Sequence, residues 1–142
     1  MTPSSVFSIA NTMAFIMWLL LIILPNWKTT RFLIDFKVIP ILLSILYAIY
    51  IISSIISGPA MDFSSLEAVM HLFTIENAVL SGWLHYLVFD LLVGMWILDE
   101  NKKLKIPHAI LVPCLIGTFL IGPIGFLIYM VVRAYKIQTQ RV

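Results

Sequence analysis

Charged side chains are scarce in this sequence, and their scarcity excludes most soluble folds. Asp, Glu, Lys and Arg make up 11% of the 142 residues, whereas 61% of the residues are hydrophobic. Soluble domains carry about 25% charged and about 45–50% apolar residues. With a mean hydropathy of +1.04, the apolar surplus cannot be hidden in so small a soluble core. Composition therefore predicts an integral, multi-pass membrane protein with a single domain over residues 1–142.

The sequence also lacks the signatures of several common chemistries. Its one cysteine, Cys114, cannot form an internal disulfide. The three histidines, His71, His85 and His108, form no His-x-x-x-His or Glu-x-x-His pair, which argues against a metal or haem site. No phosphate-binding loop is visible, and no basic block suggests nucleic acid. We therefore expect no metal, no cofactor and no nucleic-acid partner.

Four apolar runs dominate the sequence, and none has the two-residue alternation of barrel strands. Only helices and closed barrels satisfy every backbone group in lipid, so the runs predict an all-α fold with four transmembrane helices. They cover residues 6–24, 38–57, 76–98 and 107–132. Gly58-Pro59 is predicted to end the second helix, and Pro123 is predicted to bend the fourth.

A short helix is predicted between the second and third runs. Ser64 and Glu67 have the spacing of a capping box, and apolar residues then recur at helical spacing. This pattern favours an amphipathic helix at the membrane surface.

Four spans place both chain termini on one side of the membrane. The connections at residues 26–37 and 99–106 contain six Lys and Arg residues, whereas the C-terminal tail contains three. The positive-inside rule then predicts cytoplasmic connections and external termini.

The third run is unusual because it combines length and apolarity with ionisable side chains. An Asp at the centre of a bilayer costs about 2.5–3.5 kcal/mol even on lenient insertion scales. A helix without a use for such groups could have Leu there instead. We therefore interpret this helix as the functional element. Its polar side chains are Glu76, Asn77, Ser81, His85 and Asp90.

Helix geometry sorts these groups into two faces. Glu76, Trp83 and Asp90 lie within roughly 40° of one another, and Asn77 and His85 belong to a second stripe about 140° away. Asp90 is the deepest carboxyl and a candidate general acid or base. An imidazole such as His85 exchanges protons near neutral pH and is a natural partner. The alternative interpretation is that the same residues form hydrogen bonds that hold the helices together.

The sequence resembles a known family at specific residues of the third and fourth runs. The matching residues are Glu76-Asn77, Gly82-Trp83-Leu84-His85-Tyr86, Phe89-Asp90-Leu91, Gly94, Trp96, Pro107-His108, Pro113-Cys114-Leu115 and Gly122-Pro123-Ile124-Gly125. With these residues the sequence is similar, over the whole chain, to the abscisic-acid-deficient-four-like membrane proteins. One departure stands out, because the family pattern has an Arg where this chain has Met95.

The resemblance implies a carotenoid-related activity. Plant members are linked to neoxanthin synthesis, in which a violaxanthin epoxide is isomerised to an allenic alcohol, and small bacterial members resemble them. Such an isomerisation needs an acid and a base but no redox cofactor, and Asp90 and His85, the candidate proton carriers, would supply both roles.

The same resemblance implies an apolar, carotenoid-like ligand that enters from the membrane lipid. It would lie along Trp83, Tyr86 and Phe89 beside the Pro123 bend, with Glu76 and Asn77 as polar anchors. Because the chain is compact and has no transit peptide, it is expected in a bacterial inner membrane. Two alternatives stay open: a non-enzymatic scaffold or lipid- and pigment-binding protein, and a small transporter, with or without homo-oligomerisation.

Overall fold

The computed structural model describes residues 2–57 and 61–140, and every regular element in them is a helix. This confirms the all-α class. In chain order the helices are α1 (Pro3–Ile23), α2 (Lys28–Asp35), α3 (Val38–Ser57), α4 (Leu66–Leu72), α5 (Glu76–Leu104), α6 (His108–Ile121) and α7 (Pro123–Gln140).

Three of the described helices, α1, α3 and α5, are long and apolar enough to cross a membrane. A helix rises about 1.5 Å per residue, so about 20 apolar residues span the hydrocarbon core. The candidate spans have 21, 19 and 29 residues. These helices match the first three predicted runs and fit a membrane protein.

The segment predicted as a fourth span consists of two helices, so the four-span arrangement is not confirmed. Helix α6 has 14 residues and ends at Ile121, and α7 begins at Pro123. Gly122 lies between them with a φ of 51°, a backbone conformation that residues with a Cβ rarely adopt. The bend predicted at Pro123 is therefore a complete interruption of the helix. Pro is well suited to begin α7, because the first residues of a helix have no intrahelical use for their N–H groups.

Helix α2 was not expected, since residues 26–37 had the composition of a polar connection. The segment instead buries Thr30 and Ile34 on one side. Lys37 follows it with a positive φ of 51°, and its ammonium donates to the Ile34 carbonyl at 2.8 Å. The Ile34 carbonyl at the helix end therefore accepts both the backbone N–H of Lys37, at 3.2 Å, and its ammonium.

Helix α4 confirms the predicted short helix but not its predicted cap. The Ser65 hydroxyl, rather than that of Ser64, accepts the N–H of Ala68 at 3.1 Å. The backbone N–H of Ser64 donates to Asp62 at 2.8 Å, and hydrogen bonds from the Ser64 side chain and backbone lower the pKa of the Asp62 carboxyl. The location of α4 at the membrane surface stays a prediction. Gly58-Pro59, predicted to end the second span, lies outside the described residues.

The chain divides into two compact units. The first contains Met1–Ala14 and Val38–Val88, and the second contains Phe15–Lys37 and Phe89–Val142. Helices α1 and α5 contribute residues to both. The prediction of one domain is not tested by this division.

The second unit has a close helix contact that excludes side chains. A Cβ on Gly125 of α7 would overlap the backbone of Gly117 and Thr118 in α6. Nearby, Trp18 is buried and lies against Phe119 with a ring separation of 5.5 Å. The approach of α6 to α7 therefore depends on a residue without a side chain.

We predict that Gly125→Ala lowers the melting temperature of the purified protein in detergent, because overpacking of this kind costs about 1–3 kcal/mol. Gly82→Ala is the matched control, since a Cβ at Gly82 meets nothing within 4 Å. Thermal unfolding of both variants should separate them, with Gly82→Ala unchanged or more stable. Equal melting temperatures for the two variants would contradict the contact.

Candidate functional site

The first unit contains an apolar cleft of about 300 Å³ beside the N-terminal half of α5. Side chains from α3, α4 and α5 and from the segment before α4 form its walls. The lining residues are Tyr47, Ile51, Met61, Phe63, Val69, Leu72, Phe73, Ala78, Val79, Ser81, Gly82 and His85. Nearly all of this surface is hydrocarbon, so the cleft suits an apolar guest.

Few polar groups face this cleft. The His85 ring lies 6.0 Å from the Tyr47 ring at an interplanar angle of 56°. The Ser81 hydroxyl is engaged within its own helix, where it donates to the Asn77 carbonyl at 2.8 Å. Gly82 leaves open space at the helix surface. A guest in the cleft would therefore meet His85 and Tyr47 as its main polar neighbours.

A row of aromatic rings lies along another side of the same helix. Trp83 is 5.7 Å from Phe7 and 5.4 Å from Tyr86, measured between ring centroids. The Trp83 indole N–H donates to the Asn11 side-chain oxygen at 2.9 Å. This bond links α1 to α5 within the first unit.

Glu76 and Asn77 lie at the beginning of α5. Glu76 occupies the first turn, where a negative charge is favoured by the helix dipole. It lines a more open hollow of about 440 Å³ together with Phe7 and Trp83. Asn77 is half-buried, and its backbone carbonyl accepts a hydrogen bond from the Ser81 hydroxyl. Their predicted role as ligand anchors stays a prediction.

The second unit has its own hollow, of about 260 Å³, around Asp90. It is lined by Phe89, Asp90, Val93, Thr118, Gly122, Pro123 and Phe126. Three residues of the predicted site, Phe89, Asp90 and Pro123, therefore lie together.

The backbone of Gly122 comes unusually close to the acid in this hollow. A Cβ at Gly122 would stand 3.1 Å from one oxygen of the Asp90 carboxylate and 3.5 Å from the other. Helix α7 begins at the next residue, so the carboxylate is near the positive end of that helix. The Thr118 hydroxyl is occupied within α6, donating to the Cys114 carbonyl at 2.8 Å. The Gly122 turn and the Asp90 carboxyl are thus neighbouring polar groups in a hollow whose surface is otherwise mostly apolar.

The structure assigns His85 to the cleft of the first unit and Asp90 to the hollow of the second unit. The two residues are five apart in the sequence. A single cavity that contains both proton carriers stays a prediction. Tyr47 and Gly122 were not predicted as site residues, because a lone Tyr in an apolar run is usually a packing residue and a turn glycine carries no chemistry.

Among residues 2–57 and 61–140, no three His, Cys, Asp or Glu side chains come together as a metal site requires. Met95, the position at which the resemblance led us to expect an Arg, is fully buried in the second unit.

We predict that Gly122→Ala destabilises the protein and that Asp90→Ala partly relieves this effect. Alanine must adopt an unfavourable φ and crowd the carboxylate, and only the crowding disappears when the carboxylate is removed. Melting temperatures of the wild type, both single variants and the double variant form the cycle. Strict additivity would show that the carboxylate and the turn do not interact.

Comparisons with known proteins agree with the resemblance seen in the sequence. The family model described as ABA DEFICIENT 4-like matches residues 5–129. No curated protein and no solved structure matches the chain. The matched segment covers most of the sequence, including the cleft beside His85, the hollow around Asp90 and all of α5. The chain belongs to the ABA4-like family.

Proposed function

We propose that this membrane protein holds a carotenoid-like lipid in the first-unit cleft and isomerises an epoxide on it. Family membership suggests a carotenoid-related membrane protein. The observation that carries the proposal is the apolar cleft with His85 and Tyr47 on its wall. We also propose that the protein resides in a bacterial inner membrane.

The size of the cleft defines how such a ligand would bind. A volume of about 300 Å³ is at the lower limit for small-molecule sites. A long polyene therefore places only one end in the cleft, and the rest extends into lipid. Exposed apolar side chains such as Phe63 and Phe73, which line the cleft, provide a hydrophobic entrance.

The proposed reaction balances without a redox partner. A base removes a proton from carbon, the epoxide C–O bond breaks, and the oxygen takes up a proton to give an allenic alcohol. His85 is the imidazole that meets the guest in this cleft. Asp90 lines a separate hollow, and its role as a second proton carrier is a proposal that rests on the sequence alone. Acid–base groups of this kind contribute about 10²–10⁴-fold to a rate.

A non-catalytic lipid- or pigment-binding protein is the second candidate. The bonds Trp83–Asn11 and Ser81–Asn77 favour it, because they use polar groups of α5 to hold structure rather than to contact a guest. A small transporter is the third candidate, and no feature of the residues that the structure describes favours it.

We predict that pigment extracts distinguish these candidates. Wild-type protein expressed in carotenoid-producing cells should co-purify with a polyene and change the cellular pigment profile. His85→Ala and Asp90→Asn should each reduce the new product at least about 10²-fold, as expected for a lost acid or base. Asp35→Asn, an exposed acid on α2, is the control and should behave as wild type.

Chromatography with mass spectrometry measures both the bound and the total pigment. Polyene bound to the wild type without any new product would favour the binding protein. If no polyene co-purifies with the wild type, the carotenoid proposal is wrong.

We predict that filling the cleft prevents ligand retention without unfolding the protein. Gly82→Leu adds a side chain where there is open space, so its melting temperature should remain near that of the wild type. Ser44→Leu adds similar bulk on an exposed part of α3 that does not line the cleft. Mass spectrometry of the extracted lipid should show a loss of bound polyene for Gly82→Leu alone. Equal retention by both variants would place the ligand elsewhere.

A further inference from the structure

Helix α7 runs alongside the second half of α5 in the same direction. Residues further along α7 contact residues further along α5, as expected for two parallel helices. The contacts are Asp90 with Gly122, Trp96 with Phe126 (ring centroids 6.0 Å apart), Trp96 with Tyr129 (5.4 Å), Glu100 with Arg133 (2.8 Å) and the Leu104 carbonyl with the Gln140 amide (3.4 Å). Helix α7 therefore begins beside Asp90 and finishes beside the C-terminal end of α5.

Helix α6 runs in the opposite direction over the same distance. It begins at His108, whose Nε2 donates to the Ile22 carbonyl at 2.7 Å near the end of α1. Further along, Phe119 lies against Trp18 and Phe15. The helix ends at Ile121, directly before the Gly122 turn beside Asp90. The chain thus runs along α6 towards Asp90, turns at Gly122, and runs back along α7 towards the C-terminal end of α5.

Neither of these helices is able to cross a bilayer. The 14 residues of α6 extend about 21 Å, against a hydrocarbon core of about 30 Å. Helix α7 has 18 residues, but its apolar part ends before Arg133 and extends only about 15 Å. Asp90 is 14 residues from the start and eight from the end of the apolar run 76–98, so the turn beside it lies about 12 Å along the helix from the end of that run, near the middle of a core of about 30 Å.

We propose that α6 and α7 form a re-entrant hairpin, whose Gly122 turn lies at mid-membrane and whose two ends emerge on the same side. Irregular backbone is tolerated at that depth only where its polar groups have partners. The Gly122 N–H donates to the Thr118 carbonyl at 2.9 Å, and the Gly122 carbonyl accepts from the Phe126 N–H at 3.3 Å. Pro123 has no N–H that would need a partner there.

The hairpin gives a consistent distribution of charge. With four spans, the nine Lys and Arg residues divide six to three between the two sides. With three spans and the hairpin, all nine belong to segments on one side. They are Lys28, Arg31, Lys37, Lys102, Lys103, Lys105, Arg133, Lys136 and Arg141, of which Arg141 lies outside the described residues. The positive-inside rule then places this side, including the C-terminal segment, in the cytoplasm and the N-terminal segment outside.

Site-directed labelling tests the hairpin directly. Cys114 is the only native cysteine and is buried, so Cys114→Ala gives a background without reactive thiols. Single cysteines are then introduced at the exposed positions Thr139, Asp35 and Glu67. A membrane-impermeant maleimide is applied to right-side-out and inverted bacterial membrane vesicles. Asp35 reports the α2 side, and Glu67 reports the α4 side.

The hairpin predicts that Thr139→Cys and Asp35→Cys are labelled in inverted vesicles and lose labelling in right-side-out vesicles. Glu67→Cys should show the reverse pattern. Labelling of Thr139→Cys together with Glu67→Cys would instead establish a fourth span and overturn the proposal. If Cys114→Ala does not accumulate, the same three variants are made with Cys114 retained, and the wild-type chain measures the background.

Discussion

The close approach of the Gly122 backbone to the Asp90 carboxylate is the constraint on which the second unit depends. A Cβ at Gly122 would stand only 3.1 Å from a carboxyl oxygen of Asp90, so a side chain there would crowd the acid. At the same residue the chain turns at a φ that favours glycine, and Gly125 lets the backbone of α7 lie directly on α6. The acid, the turn and the helix contact therefore lie together within the second unit.

A second polar cluster holds the other end of these helices. Asp99 receives hydrogen bonds or ion pairs from Arg31 at 3.0 Å, Lys37 at 3.2 Å and Lys102 at 2.9 Å. Glu100 accepts both Nε and Nη2 of Arg133. Isolated surface pairs contribute only about 0–1 kcal/mol each. Here the pairs are partly buried and join α2 and α7 to the end of α5, so their main effect is to fix where these helices lie.

Hydrophobic runs predicted the positions of the long apolar helices, which depend on local sequence. They did not predict the helix ends and caps that tertiary contacts determine. The runs located α1, α3 and α5 because each must be apolar over its whole length. They could not show that Gly122 ends α6, since a Gly-Pro pair is compatible with a bend or a break. Likewise, Ser64 and Ser65 are both residue types that cap helices. In the structure the backbone N–H of Ser64 donates to the Asp62 carboxyl, and the Ser65 hydroxyl accepts the N–H of Ala68. Helical periodicity also predicted which polar side chains share a face of α5, but it could not predict which other helix packs against each face.

The burial of Met95 bears on whether an arginine could be accommodated at this position. A buried Arg at this position would require an acid close enough to repay its desolvation. Two acids nearby on α5 already have cationic partners, because Asp99 is paired with three basic groups and Glu100 with Arg133. Methionine removes both the charge and the need for a counter-ion, so the core of the second unit is apolar around it. Any acid–base chemistry in this protein must therefore use groups other than an arginine at this position, and the cleft beside His85 is where an apolar guest can reach one.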